Sequence, residues 1–329
     1  MGESTAMSSS VAGLTCLLFF ALSQGARDAF FGNVFQSVSF LLVGVLAFGT
    51  STLCFSTVAF LRRPRDLAKL LASPAAFVGL NVTTAMAWLS FFYGLRHLEP
   101  AIVATLYNGV GPLTVLCVQA RGWTTKKRGP SAAEWLCYIG IAGTLAALGV
   151  VVLTNRSGLF ISNFVTQGGA LAVVIAGGAM IAISNMIARW FNDAGVGSDS
   201  LMGTRFLLTI VAAAVAEMIV GVAEMRPSVS NMLFLATAAF ALITIPSFML
   251  QLGIARASPL AVNVMRSLGP VFVFGVQQLD GRLRFSGASL ICVAGFCIFA
   301  TGASLIRGWS EARDADELGL FKPHSSLRP

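Results

Sequence analysis

The sequence has 329 residues, of which 56% are hydrophobic and only 11% are charged, with a formal net charge of +8. These few polar residues cannot cover the surface of a soluble domain of this length, so the composition excludes a water-soluble globular protein and indicates a lipid environment. The basic residues lie in short clusters between apolar runs, such as Arg62-Arg63-Pro64-Arg65, which is typical of membrane-protein loops and argues against a nucleic-acid partner.

Ten apolar runs are long enough to cross a bilayer as helices, for which about 20 residues are needed. In chain order they cover residues 11–31, 35–61, 74–95, 99–119, 132–153, 167–190, 201–222, 230–254, 258–278 and 285–306. The sequence therefore predicts an all-α integral membrane protein with ten transmembrane helices. The first run is the least apolar, because Arg27 and Asp28 lie near its end.

The basic residues also predict the orientation of these helices. Most of them fall in the loops that share one side of the membrane with the N-terminus, including the cluster Lys126-Lys127-Arg128. Because cytoplasmic loops are enriched in lysine and arginine, we expect both termini in the cytoplasm and the chain in the plasma (cell inner) membrane.

The two halves of the sequence resemble each other. The matched segments are Ala21-Leu22-Ser23-Gln24 with Ala182-Ile183-Ser184-Asn185, Pro100 with Pro259, and Gly111-Pro112 with Gly269-Pro270. Each unit holds five spans, an odd number, so the second copy is expected to be inverted relative to the first. The predicted units are residues 1–158 and 159–309, with a cytoplasmic tail at 310–329. Inverted repeats are typical of transporters that open a midplane site to each side in turn.

Two stretches carry a resemblance to a known family. The segment from Tyr93 to Pro100, continuing to Gly111-Pro112, resembles the motif of the third and fourth helices in the drug/metabolite transporter superfamily, EamA type. The segment from Leu252 to Pro259, continuing to Gly269-Pro270, resembles the same motif in a second half. The resemblance implies a ten-helix basket whose central cavity is lined by helices one, three, four, six, eight and nine.

Arg266 is the most informative single residue. It lies inside the ninth span, where an arginine costs at least about 2.5–3.5 kcal/mol, so its side chain is expected to face a cavity or a partner. A planar guanidinium suits bidentate contact with a carboxylate or phosphate, which predicts an anion-binding role. The alternative is a structural ion pair or a hydrogen bond to the backbone.

Polar residues around Arg266 extend this predicted site. Asn263 and Ser267 are three residues before and one after it, and we expect all three on one side of the ninth helix. Tyr107 and Asn108 occupy the matching place in the fourth span and are expected to face them across the cavity. Hydrogen bonding that holds the helices together is the alternative.

Further candidates come from the other predicted cavity helices. They are Gln24, Ser184, Asn185, Trp88, Tyr93 and Gln251. Packing is the alternative for the aromatic residues. The pairs Gly111-Pro112 and Gly269-Pro270 are predicted to bend their helices and act as hinges. Arg205 is expected to pair near the cytoplasmic side rather than to contact a solute.

These features predict a secondary transporter that moves a small anionic or zwitterionic metabolite by alternating access. Since no GxxxxGK[ST] sequence is present, we expect coupling to protons or to counter-exchange of a solute rather than to ATP. No catalytic residue, metal or other cofactor is predicted. The alternatives are a non-transporting membrane scaffold and an intramembrane enzyme, although the two histidines and few embedded carboxylates disfavour an enzyme.

Overall fold

The fold is known from a computed structural model, which describes residues 2–122, 129–159, 163–220, 228–257 and 259–317. All regular structure in these ranges is helical. In chain order the helices are α1 (Gly2–Val34), α2 (Phe40–Arg62), α3 (Asp66–Leu71), α4 (Pro74–His97), α5 (Pro100–Ala120), α6 (Ala132–Leu153), α7 (Phe164–Asp193), α8 (Ser198–Thr204), α9 (Leu207–Val220), α10 (Val229–Ala239), a π turn (Phe240–Thr244), α11 (Ile245–Arg256), α12 (Pro259–Gln277) and α13 (Gly287–Glu317).

Nine stretches within the described ranges are long and apolar enough to cross a membrane. They are Phe40–Arg62, Pro74–His97, Pro100–Ala120, Ala132–Leu153, Phe164–Asp193, Ser198–Val220, Val229–Leu250, Leu260–Gln277 and Gly287–Ser310. Large apolar side chains such as Leu53, Met218 and Ile291 are exposed on them. Because an aqueous surface would not carry so much exposed apolar area, the chain is a multi-pass membrane protein. The predicted all-α membrane class is confirmed.

Helix α1, which corresponds to the first predicted span, is not among these nine stretches. It is 33 residues long, but it carries Gln24, Arg27 and Asp28, all of which are buried. The helix packs against α11 and α12, so these polar groups face the protein interior. The mean hydropathy of α1 therefore averages these buried polar residues with exposed apolar residues such as Leu18 and Phe19.

Buried hydrogen bonds tie the helices together at one end of the bundle, which we call the Glu99 end. Glu99 accepts hydrogen bonds from Gln277 Nε2 at 2.6 Å, from the Gly158 backbone N–H at 2.8 Å and from Ser289 Oγ at 2.8 Å. Gln277 in turn accepts a bond from the Ala101 N–H at 2.9 Å. The start of α5, the end of α12 and the start of α13 are therefore held together.

A second network lies at the opposite end, which we call the Asp66 end. The two ends are separated by the 24-residue helix α4, which is about 36 Å long at 1.5 Å per residue. Asp66 accepts hydrogen bonds from the Gly197 N–H at 2.7 Å and from Ser200 Oγ at 2.9 Å. Lys69 Nζ donates to the Gly195 carbonyl at 2.8 Å. These contacts join α3 to the segment between α7 and α8.

Aromatic rings form the core between α2, α4 and the junction of α8 and α9. Phe48 is fully buried and stacks on Phe92 at 5.7 Å and on Phe206 at 4.7 Å between ring centroids. Trp88 contacts Phe48 edge to face at 5.1 Å. Rings packed in this way have little freedom to move, so they form a rigid apolar wall. The inner side of that wall borders the candidate site.

Candidate functional site

A cavity of about 120 Å³ lies inside the helix bundle. Its polar lining comes from Gln24, Arg27, Tyr107, Asn108, Asn185, Arg205, Ser247 and Arg266. Its apolar lining comes from Phe20, Trp88, Phe91, Ile181, Met202, Phe206 and Leu250. The volume suits a small solute, and the mixture of apolar walls with a few convergent polar groups is what small-molecule sites present.

Helix α1 contributes one face to this cavity. Phe20, Gln24 and Arg27 are spaced four and three residues apart, which places them on one side of an α-helix. Close packing against α12 brings this face inward, because a Cβ added to Gly269 would lie 3.2 Å from the Gln24 side-chain oxygen. The glycine therefore lets the Gln24 amide approach α12.

Arg27 is held by an ion pair and by two aromatic rings. Its Nε lies 2.6 Å from Oδ1 of Asp28, and both residues are buried. The guanidinium carbon lies 5.5 Å from the centroid of the Trp88 ring and 5.1 Å from that of Phe91, distances that permit cation–π attraction. Oδ2 of Asp28 has no hydrogen-bond partner in the described part of the chain.

Arg205 lies at the junction between α8 and α9 and also lines the cavity. Its side chain is only 7% exposed, and Nη2 donates a hydrogen bond to Ser184 Oγ at 2.9 Å. Its Nε has no partner among the described residues. Arg205 was expected to pair near the cytoplasmic side rather than to contact a solute, whereas the structure places it at the cavity. The helix is interrupted at this point, and the side chain turns toward the interior instead of the membrane surface.

Arg266 lies on α12 and completes a set of three arginines around the cavity. Among the described residues, neither a carboxylate nor any other group forms a hydrogen bond or ion pair with its guanidinium. Tyr107 lines the same cavity, and its hydroxyl is within electrostatic range of Arg27, Arg205 and Arg266.

Close contact between α5 and α7 holds Tyr107 in place. A Cβ added to Gly178 of α7 would lie 2.8 Å from the Tyr107 carbonyl oxygen and 3.1 Å from its Cα. The Tyr107 ring lies 4.8 Å from that of Phe91. Asn108 follows on the same helix and donates from Nδ2 to the Ala104 carbonyl at 2.9 Å, which leaves its side-chain oxygen as an acceptor.

The structure brings six of the predicted site residues to the cavity. They are Arg266, Tyr107, Asn108, Gln24, Asn185 and Trp88. Ser184 lies behind Arg205 and shares its hydroxyl with Thr84 Oγ1 at 2.7 Å. Ser184 therefore supports the cavity lining without belonging to it.

The remaining predicted residues lie elsewhere. Asn263 is exposed, and Ser267 faces α13, where its Oγ lies 2.9 Å from Thr301 Oγ1. Tyr93 packs against His97 at 4.5 Å between ring centroids, near the Glu99 end. The structure does not bring these three residues to the cavity lining. Gln251 lies in α11, but its side chain is outside the described residues.

Arg27 and Arg205 are the charged cavity residues that the sequence-based site lacked, and Ser247 is a further polar one. The signal for Arg27 was available, because its spacing from Gln24 matches one helix face and a charge within a span favours an interior position. Arg205 lies close to a predicted helix start, where hydropathy does not distinguish an interface position from an interior one.

The predicted hinge residues lie within long helices. Pro112 is inside α5 and Pro270 is inside α12, and both helices continue through the proline. Pro112 follows Asn108 by four residues, and Pro270 follows Arg266 by four residues. The hinge role of Gly111, Pro112, Gly269 and Pro270 stays a prediction.

Comparison with known proteins identifies the fold alone. No protein-family model matches the sequence, and no curated protein matches it. The chain is similar in fold to a protein of known crystal structure, with a TM-score of 0.58 and 18% sequence identity, over 91% of this chain and 97% of that chain. This likeness covers almost the whole of both chains, so the helical architecture described above is one that another protein also adopts.

Proposed function

We propose that this protein is a secondary transporter for a small anionic metabolite. The observation that carries the proposal is the cavity inside the bundle, where Arg27, Arg205 and Arg266 converge. Buried arginines are costly in a membrane protein and are retained mainly where they bind a partner or line a solute pathway. A zwitterionic solute fits the proposal through its carboxylate.

The donors of this site suit an oxyanion. Each guanidinium offers a planar fork of N–H groups that matches a carboxylate or a phosphate. The Tyr107 hydroxyl and the side-chain amides of Gln24 and Asn185 add neutral groups that orient a small molecule. The apolar wall lowers the local dielectric constant and so strengthens each charged contact.

The proposed architecture is a ten-span, EamA-type basket, in which α1 is the tenth span. Residues 1–158 and 159–309 are proposed as inverted halves, followed by a tail at 310–329. In support, Pro100 and Pro259 each begin a helix, α5 and α12, and both helices carry an internal Gly-Pro pair. The proposed orientation has both termini in the cytoplasm and the chain in the plasma membrane.

Alternating access in this proposal is driven by a proton gradient or by counter-exchange, with the lipid bilayer and the solute as the partners. The competing functions are a membrane scaffold and an intramembrane enzyme. A scaffold has no need for three arginines around one cavity. For an enzyme, we would expect clustered general acids and bases beside them.

Flux measurements in proteoliposomes test the proposal. Purified protein is reconstituted and supplied with labelled carboxylates, amino acids and phosphorylated metabolites, with and without unlabelled solute inside. We expect saturable uptake of an anion, accelerated by internal solute or by a pH gradient. Arg266→Gln should abolish it, whereas Arg121→Gln, which alters an exposed arginine outside the cavity, should leave it intact. Saturable binding without any flux would reject the proposal in favour of a scaffold.

A further inference from the structure

The charges around the cavity do not balance, and this imbalance points to the class of solute. Three arginines line the cavity, and Asp28 is the one carboxylate in the described part of the chain that pairs with any of them. The Arg27–Asp28 contact, at 2.6 Å, makes a neutral pair. Among the described residues, no carboxylate pairs with Arg205 or Arg266, so two positive charges remain uncompensated there.

Arg205 also lacks hydrogen-bond partners for part of its guanidinium within the described part of the chain. Its guanidinium donates a hydrogen bond to the neutral hydroxyl of Ser184, at 2.9 Å, and lies 5.6 Å from the centroid of the Phe206 ring, so neither contact supplies a negative charge. Its Nε has no partner in the described ranges, although the side chain is only 7% exposed. A buried donor on a charged group loses its hydration without compensation, so a ligand that accepts from this nitrogen gains that energy back.

Arg266 presents the second charge from another helix. It has no hydrogen-bond or ion-pair partner among the described residues, and it borders the same cavity as Arg205. Arg205, Arg266 and Tyr107 line one cavity of about 120 Å³, so a single small molecule held there lies within the field of both charges. At the low dielectric of a membrane interior, a monoanion neutralises one charge and leaves the other uncompensated.

We infer that the cavity takes a small dianion, a molecule that carries two negative charges in the form of two carboxylates or one phosphate monoester. This inference rests on the proposed function, because it names the solute that the transporter would carry. The volume of about 120 Å³ restricts the dianion to a compact metabolite. Because the Arg27–Asp28 pair is neutral, it does not change the charge that we expect of the ligand.

The test compares ligands that differ by one charge. Succinate is paired with its monomethyl ester, and glycerol 3-phosphate at pH 7.5 is paired with its methyl phosphodiester, which carries one negative charge. Binding to the purified full-length protein in detergent is measured by thermal stabilisation, so that flux is not required. At least one dianion should bind about tenfold or more tightly than its matched ligand, and the two pairs separate a dicarboxylate from a phosphate ester.

Substitutions then assign the preference to the two arginines. Arg205→Gln and Arg266→Gln should each bring the preference for the dianion close to one, because each removes one of the two uncompensated charges. Arg121→Gln should retain the full preference. If a monoanion or a zwitterion binds as tightly as the dianions, or if neither dianion binds, the inference is wrong.

The flux assay distinguishes this failure from failure of the proposed function. If a monoanion or a zwitterion is taken up saturably and dianions are not preferred, the inference of a dianion is wrong, while the proposed transport function is supported. Dianion binding that is lost in Arg205→Gln and Arg266→Gln, but is not accompanied by flux, supports the charge argument and rejects transport.

Discussion

Arg205 Nη2 lies 2.9 Å from Ser184 Oγ, and this contact fixes a buried charge to the helix that faces it. The same serine oxygen lies 2.7 Å from Thr84 Oγ1 of α4, so α4, α7 and the α8–α9 junction meet at one hydroxyl. Ser184 was predicted to contact solute directly. Its position behind Arg205 gives it the role of orienting the charge that borders the cavity.

Removal of this hydroxyl should weaken anion binding without abolishing it. Ser184→Ala removes the hydrogen bond that orients the Arg205 guanidinium, so anion binding must order this side chain at a cost of about 0.5–1.5 kcal/mol, and we expect anion affinity to fall about two- to tenfold. Equilibrium binding of the anion identified in the flux assay measures the change. Ser304→Ala is the control, because Ser304 bonds the carbonyl of Ala300 on its own helix at 2.9 Å. Equal effects in the two variants would contradict the orienting role.

Asp28 sets the charge available to a solute through its ion pair with Arg27. Asp28→Asn removes the counter-charge and leaves Arg27 as a third uncompensated cation, so anion affinity should rise severalfold while thermal stability falls. Anion titration and thermal melting of the same preparation measure both changes. Asp193→Asn alters an exposed carboxylate and should change neither quantity. Unchanged anion affinity in a folded Asp28→Asn protein would show that Arg27 does not act on the solute.

Gly178 limits the distance between α5 and α7 at Tyr107. An added methyl group would lie 2.8 Å from the Tyr107 carbonyl oxygen, so Gly178→Ala must separate the two backbones, and we expect a loss of about 1–3 kcal/mol. Thermal or denaturant unfolding measures the loss. Gly168→Ala on the same helix has no atom within 4 Å of the added carbon and should be neutral or slightly stabilising. Similar stability of the two variants would argue against close packing at Tyr107.

Glu99 accepts three hydrogen bonds and joins three helices at its end of the bundle. Glu99→Gln replaces an acceptor oxygen with an NH₂ group, which must then face a donor, and breaks a buried charged network. We expect a loss of about 3 kcal/mol or more in stability. Glu217→Gln is the matched control, because Glu217 is half-buried and accepts a hydrogen bond from Ser39. Melting temperatures measured side by side should fall much further for Glu99→Gln.

Asp66 makes the stability of the opposite end depend on pH. Burial raises the pKa of its carboxyl, but hydrogen bonds from the Gly197 N–H and the Ser200 hydroxyl, with the charges of Lys69 and Arg63, hold the pKa below its ordinary value of 3.8. A pKa that is lower in the folded state gives stability that is present above pH 3.8 and is lost as the pH falls through the folded value.

The difference in melting temperature between the wild type and Asp66→Asn measures this contribution. It should be constant from pH 7 down to about pH 5 and should shrink below about pH 4, where the wild-type carboxylate begins to take up a proton. If the difference in melting temperature instead grew as the pH fell, Asp66 would not stabilise the fold as a carboxylate. Asp193→Asn, on an exposed carboxylate, should show no such profile.

The lengths of the helices were predictable because the thickness of a bilayer limits each apolar run. The predicted span 132–153 coincides with α6, and the predicted span 99–119 differs from α5 by one residue at each end. The first predicted span, α1, was harder to predict, because its mean hydropathy averages inward-facing polar residues with lipid-facing apolar ones.

Side-chain directions around Arg266 were less predictable. On an α-helix, Asn263 is turned by about 60° and Ser267 by about 100° from Arg266. That rotation is enough to place Asn263 on the exposed surface and Ser267 against α13. The arginine at the cavity was therefore predictable from the cost of burying its charge, whereas its neighbours depended on how α12 packs.

The prolines that follow the cavity residues have a mechanical consequence. Pro270 has no N–H, so the carbonyl oxygen of Arg266 lacks its usual helical hydrogen bond, and Pro112 has the same effect on the carbonyl of Asn108. Deformation of α5 or α12 at these points breaks no bond, because none had formed. We therefore expect both helices to bend most easily next to the residues that face the cavity, where a small change in backbone angle would reorient the Asn108 amide on α5 or the Arg266 guanidinium on α12.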